Sequence, residues 1–255
     1  MSKLKNTLGK LFQSVVDRVM GNGLMQEESI VIGGDSVTDE MRAYARRCGA
    51  EACVLLENNG ILPLKMDSKV AVFGRCQLDW FYVGYGSGGD VHPPYYVNLL
   101  EGLQNAGISY DTNVAKLYEE WCNSEEHKAD HGWWGHWPYF YPEKPMEEDS
   151  VKQAAKDNDV ALVVIGRAAG EDRENKLEEG SFYLTVEEKR LLEMVRKYFE
   201  KSILVFNCGS VMDMEWTKDY PAQGILYAWN LGQESGNAVA KVLTGKTNPS
   251  GRLAD

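Results

Sequence analysis

Val160-Ala-Leu-Val-Val-Ile165 is apolar at six successive positions. A half-buried strand would alternate apolar and polar residues. A run that is apolar on both faces belongs in a mostly parallel sheet covered by helices on both sides. Val70-Ala-Val-Phe73, Ile203 to Phe206 and Gly224 to Ala228 repeat the signal, and Ile108 to Tyr110 reads as a further short strand. Helical patterns alternate with these runs: Val97 to Asn105 with Leu99, Leu100 and Leu103 inward, Val114 to Cys122, Val151 to Lys156, Val186 to Phe199, and Ser235 to Leu243. The expected fold class is α/β, a mostly parallel sheet flanked by helices on both faces (an α/β sandwich), with an N-terminal helical leader.

In the leader, Leu4, Leu8, Leu11, Phe12, Val15, Val16 and Val19 form one apolar stripe, with Lys3, Lys5, Lys10 and Arg18 off it. The segment lacks the continuous apolar core and cleavage site of a signal peptide. A basic amphipathic helix can lie on a membrane, but docking of the stripe against the rest of the protein is the preferred reading. Gly21-Asn22-Gly23 stops this helix, which divides the chain into a leader, 1–37, and a sandwich domain, 38–255. Thr38-Asp39-Glu40 reads as the next helix start, with acids suited to the helix dipole. Met41, Tyr44, Ala45, Cys48 and Ala52 are expected inward, and the helix is expected to stop near Asn58-Asn59-Gly60.

The chain has 27 Lys and Arg against 38 Asp and Glu, a net charge of −11, which argues against a nucleic-acid backbone as partner. No apolar run approaches the ~18–20 residues of a membrane-spanning helix. The five cysteines are scattered without C-x-x-C spacing, which fits reduced thiols in a cytoplasmic protein.

Ligands of parallel α/β sheets sit beyond the carboxyl ends of the strands. Gly84, Gly86 and Gly89 meet the G-x-G-x-x-G spacing, but about ten residues separate the strand from Gly84 and His92-Pro93-Pro94 precedes the helix, so nucleotide binding is disfavoured. Beyond Ile165 stand four charged residues, Glu171, Asp172, Arg173 and Glu174. A carboxylate there can serve as a general acid if burial or a neighbouring charge raises its pKa; the plainer reading is a solvated charge cluster. Residues 120–149 form a long loop rich in Trp, Tyr and His, and long loops in compact domains are often functional. His127, His131 and His136 lack metal-ligand spacing, so stacking or loop packing is expected, with no metal and no cofactor. Ser87 lacks a full nucleophile-elbow motif and is held as a hydroxyl donor.

Ala52-Cys-Val-Leu-Leu-Glu-Asn-Asn-Gly-Ile-Leu-Pro-Leu-Lys65 resembles the opening of the α/β-sandwich domain of family 3 glycoside hydrolases, the β-glucosidase and β-xylosidase family. Val70-Ala-Val-Phe-Gly74 and Tyr85-Gly-Ser-Gly-Gly-Asp-Val91 resemble its next strand and glycine loop. Val163 to Arg173 and Gly180-Ser-Phe-Tyr-Leu-Thr185 resemble its catalytic-loop region; Gly232 to Ala238 and Asn248 to Leu253 resemble its closing helix and exit. The motifs run in the family's order from about residue 40 to 253.

The resemblance implies a retaining exo-glycosidase acting on a β-linked glucoside or oligosaccharide. Its active site is shared between this domain and a (β/α)8 barrel that carries an Asp nucleophile. Gly170-Glu171, followed by Gly180-Ser-Phe-Tyr-Leu184, matches the family's acid/base motif and makes Glu171 the general acid/base. Relatives carry Asp-Arg three and four residues on; here those positions are Glu174-Asn175, with Asp172-Arg173 closer in, so Asp172 is the alternative carboxylate. Ser87, Arg167, Trp133, Trp134 and Trp137 are the implied sugar contacts. A barrel needs about 250 residues of its own, so it is expected after Asp255 in a domain-inverted parent. The isolated chain is then expected to be nearly inactive, and its barrel-facing surface open to self-association. The alternative is a carbohydrate-binding or interaction module of the same fold without catalysis.

Overall fold

The structure, a computed structural model, describes residues 7–12, 14–15, 37–86, 91, 93–132, 136–171 and 175–253. Thr38 opens the first helix of the sandwich, α1 (Asp39–Ala52), its side-chain oxygen accepting the Met41 N–H, with Asp39 and Glu40 in the first turn. The inward face differs from the expected one. Gly49 and Ala50 are buried, whereas Met41, Tyr44 and Cys48 are exposed. The small residues let α1 lie close against the closing helix, where a Cβ on Gly49 would stand 3.1 Å from Ala238 Cβ.

The helix also stops sooner than expected, at Ala52. Val54–Asn58 is a strand, β1, with Val54 paired to Tyr227 and Leu55 to Leu226 in antiparallel register. As an edge strand it is buried only at its start, so its residues carry no clean alternation that could separate them from a helix. Asn58 then builds the turn: its Oδ1 accepts the N–H groups of Gly60 and Leu62.

The remaining strands are β2 (Val70–Phe73), β3 (Val160–Arg167), β4 (Ser202–Cys208) and β5 (Gly224–Tyr227). The sheet order is β1-β5-β4-β3-β2, with all pairs parallel except β1–β5. The mostly parallel α/β sandwich expected from the apolar runs is the fold observed. The expected strand at Ile108 to Tyr110 shrinks to a single bridge between Tyr110 and Val70.

Alternate strand residues feed two cores. Val70, Val72, Leu162, Val164, Ile203 and Val205 face α1, α2 (Leu99–Ala106) and α6 (Ser235–Leu243). Ala71, Phe73, Ala161, Val163, Ile165 and Phe206 face α3 (Thr112–Cys122), α4 (Glu148–Asp157) and α5 (Val186–Tyr198). Both faces are therefore dry, which is why β3 is apolar throughout its first six residues.

On the first face α2 and α6 meet through glycines. A Cβ on Gly102 would overlap the Gly236 carbonyl, and one on Gly236 would overlap the carbonyl of Asn98, the residue that caps α2. Backbone cannot yield as a flexible side chain can. Gly236→Ala is expected to cost about 1–3 kcal/mol or more by overpacking, read as a lower urea midpoint with unchanged slope.

Of the leader stripe, Leu8, Leu11, Phe12 and Val15 are exposed. The expected docking of this stripe is corrected for these four residues, while Lys10, on the polar side, forms an ion pair with Asp130 Oδ1 at 2.7 Å. No helix among the described residues is long and apolar enough to cross a membrane.

Candidate active site

Because β2 to β5 run parallel, their carboxyl ends share one edge of the sheet, where open α/β sheets place their ligands. Asn207, near the end of β4 and fully buried, ties the loops of that edge together. Its Oδ1 accepts the Phe81 N–H at 2.7 Å, and its amide donates to Phe81 O and Trp229 O, each at 2.8 Å. Sequence reading passed over Asn207; an amide inside a buried strand end was the available signal, since such a group must find partners.

Glu171 stands on the exposed loop four residues beyond the end of β3. The glycine loop lies directly against it. Tyr85 N–H donates to Ala169 O at 2.8 Å, and Glu171 N–H donates to Tyr85 O at 3.0 Å, a one-residue parallel bridge across Gly170. Gly86 has φ +110°, and a Cβ there would overlap Glu171 Cβ. Glycine is needed for both the backbone angle and the close approach. Two motifs 85 residues apart in sequence (Tyr85 and Gly170) thus form one unit around the carboxylate. Ser87, Asp172, Trp133 and Trp134 lie outside the described residues.

Arg167 does not face a ligand, and its expected role as a sugar contact is corrected. The residue is 1% exposed. All five guanidinium N–H donors find partners inside the protein. Nε donates to Ser181 O; Nη1 to Gly166 O and Glu188 Oε1; Nη2 to Tyr183 O and Glu188 Oε2, at 2.7–3.1 Å. Burial alone would pull the guanidinium pKa down, but the Glu188 carboxylate outweighs it and the net shift is up. Arg167 therefore fastens the Gly180–Leu184 motif and the start of α5 to the end of β3. Trp137 is corrected in the same way: it is 6% exposed and its ring lies parallel to Tyr85 at 6.0 Å between centroids, a packing contact rather than an open sugar platform.

The aromatic segment between α3 and α4 is drawn onto the carboxyl-end edge by Arg75, just after β2. Arg75 donates to Pro142 O at 3.1 Å, to His127 O at 2.5 Å and to Asp79 Oδ2 at 2.6 Å, and its guanidinium sits 5.2 Å from the Tyr141 ring centroid. Tyr141 OH is 2.7 Å from both Tyr85 OH and His131 Nδ1. A cavity of about 160 Å³ beside this contact is walled by Phe81, Tyr82, Tyr85, Tyr96 and Tyr141. Two of the three histidines make the expected contacts: His127 stacks on Trp121, and His131 bonds to the tyrosines, while His136 is exposed. Among the described residues no group of three His, Cys, Asp or Glu is placed to hold a metal ion. Burial pushes the Cys53, Cys122 and Cys208 thiols up to about 12, which removes them as thiolate nucleophiles at neutral pH.

Glu143, beside Arg75, is a buried carboxylate whose Oε2 accepts the Arg75 N–H at 2.8 Å. Burial raises its pKa to about 7, with Glu188 adding to the rise and hydrogen bonds from the Arg75 and Lys144 backbone and from Tyr118 opposing it. A carboxyl raised on folding binds its proton more tightly in the native state. Its contribution is fully present below about 4.5 and is lost as the pH rises through about 7. Glu143→Gln, neutral at every pH, is therefore expected to melt above the wild type at pH 8. That margin should shrink toward pH 4.5, as checked by thermal denaturation across the range.

The sequence profile of the glycosyl hydrolase family 3 C-terminal domain matches residues 53–255. A β-glucosidase of Ruminococcus albus is 38% identical over 218 residues, covering 85% of this chain and 23% of that protein. β-Glucosidase A of Butyrivibrio fibrisolvens is 37% identical over 251 residues, 87% of this chain and 29% of its own length. Among solved structures, a Paenibacillus barengoltzii β-glucosidase superposes with a TM-score of 0.81 at 38% identity, over 86% of this chain and 24% of its own. β-Glucosidase 3B of Thermotoga neapolitana, solved with glucose, gives 0.75 at 38% identity over 84% and 30%. The chain spans less than a third of each of these proteins. The matched residues run from the start of the edge strand through the closing helix, taking in the glycine loop and Glu171, and the chain belongs to glycosyl hydrolase family 3 as its C-terminal domain.

Proposed function

We propose that this domain is the acid/base half of a retaining, β-glucosidase-like exo-glycosidase, with Glu171 as general acid/base and the Asp nucleophile supplied by a (β/α)8 barrel. The observation that carries the reading is the position of Glu171: exposed at the carboxyl end of β3, with its backbone held by Tyr85 and its Cβ against Gly86. The β-glucosidase names of the relatives support the substrate class.

The barrel Asp attacks the anomeric carbon while Glu171 gives its proton to the departing oxygen. Glu171, now a carboxylate, takes a proton from water as that water opens the glycosyl–Asp bond. Retention places the two carboxyl groups about 5–5.5 Å apart. Ser87, Trp133 and Trp134 remain the proposed sugar contacts and Asp172 the alternative carboxylate. One carboxylate cannot carry out both steps, so the isolated chain is nearly inactive.

The test is Glu171→Ala in the full-length enzyme, assayed on aryl glucosides of graded leaving group with and without azide. Selective loss on poor leaving groups, with azide rescue, supports the role. Equal loss on all overturns it. Wild-type turnover in the variant, with glucoside binding retained, would favour the non-catalytic sugar-binding module.

A further inference from the structure

We infer that Tyr85 is a positioning residue for Glu171, acting through a lock formed by its buried hydroxyl with the buried Tyr141 and the exposed His131; this rests on the acid/base reading of Glu171. The carboxylate sits on a loop beyond the last sheet bond of β3, so strand pairing does not reach it. What continues the pairing is Tyr85, whose backbone N–H and C=O bond on either side of Gly170. A bridge of one residue is weak by itself. It takes its rigidity from where the Tyr85 side chain is held.

That side chain is buried, and its ring lies parallel to Trp137 within 4°. Its hydroxyl stands 2.7 Å from Tyr141 OH and 3.2 Å from His131 Nδ1, with Tyr141 OH 2.7 Å from the same nitrogen. Three polar atoms thus close a triangle. A phenylalanine pair would pack the same space without desolvating two hydroxyls, so the hydroxyls add direction rather than burial. Tyr141 is itself fixed, stacked on Phe81 at 4.8 Å and lying under Arg75. The lock therefore transmits the position of the aromatic segment, through Tyr85, to the backbone of Glu171. Small displacements of a proton donor cost rate steeply, since a misplacement near 1 Å can cost about a hundredfold.

The test uses the full-length enzyme and a double-mutant cycle. Tyr85→Phe keeps the ring and leaves Tyr141 bonded to His131, so folding is preserved and is checked by near-UV circular dichroism. On a glucoside with a poor leaving group, kcat/KM is expected to fall about tenfold, and on a dinitrophenyl glucoside less than about threefold. In the Glu171→Ala background the same substitution is expected to change neither substrate's rate, because a residue acting through Glu171 has nothing left to position. His131→Asn, which keeps an acceptor near the Nδ1 position, should retain most of the activity that His131→Ala loses. Equal losses on both substrates, or a Tyr85→Phe effect that persists without Glu171, overturn the inference and leave Tyr85 a packing residue. If Glu171→Ala shows neither leaving-group dependence nor azide rescue, the acid/base reading fails and the inference falls with it. That result is distinct from failure of the lock alone, in which Glu171→Ala behaves as an acid/base variant and Tyr85→Phe does not.

Discussion

Arg167→Met is expected to destabilise the domain by about 3–5 kcal/mol, because it leaves the Glu188 carboxylate buried without its countercharge. Glu188 is 4% exposed and bonds Arg167 through both oxygens at 2.7 and 2.8 Å. Its carboxylate also accepts the Thr185 N–H at 2.8 Å, as part of the box that caps α5. Removing the guanidinium also takes the Nε donor from Ser181 O and one of two donors from Tyr183 O, which keeps the Gly180 N–H, loosening the loop that follows Glu171. The loss should appear as a lower urea midpoint. The double variant Arg167→Met, Glu188→Leu should recover much of it, since a well-packed apolar pair can match a buried ion pair. A sugar-contact role predicts the opposite pattern, with KM raised and stability unchanged.

Glu171→Ala in the full-length enzyme is expected to lower kcat/KM on poor leaving groups by about 10²–10⁴-fold, the usual range for a lost general acid. That corresponds to about 3–5 kcal/mol of transition-state stabilisation. A dinitrophenolate leaves without a proton, so formation of the glycosyl intermediate should be nearly unaffected and its hydrolysis should become slow. Azide is already anionic and needs no base. It should restore turnover by attacking the anomeric carbon, breaking the bond to the Asp oxygen and leaving a β-glycosyl azide. Tyr85→Phe should reproduce the leaving-group pattern in attenuated form, without azide dependence, because the carboxylate is still present to activate water.

Sequence alone determined the elements whose signal is a local period. The apolar run at 160–165, the shorter runs around Val70, Ile203 and Gly224, and the helices at 99–106, 186–198 and 235–243 were legible because burial on two faces leaves an unbroken apolar run and burial along one helical stripe repeats every 3.6 residues. The place of Glu171, on the loop just past the strongest strand, was legible as well; its proposed role came from the family resemblance and not from the local pattern.

Tertiary structure alone decided what depends on partners far along the chain. Val54–Asn58 is a strand because β5 stands beside it, although the preceding helical pattern runs straight into it. The buried face of α1 follows the close approach of Gly49 to Ala238 and not the larger side chains. Arg167 became structural through a glutamate 21 positions away, Asn207 through a loop 126 away, and Tyr85 through a tyrosine 56 away. A local pattern records how much water a position tolerates. Which donor meets which acceptor is set only when the folded chain brings them within bonding distance, and that pairing separates a residue that holds the site from one that could touch its ligand.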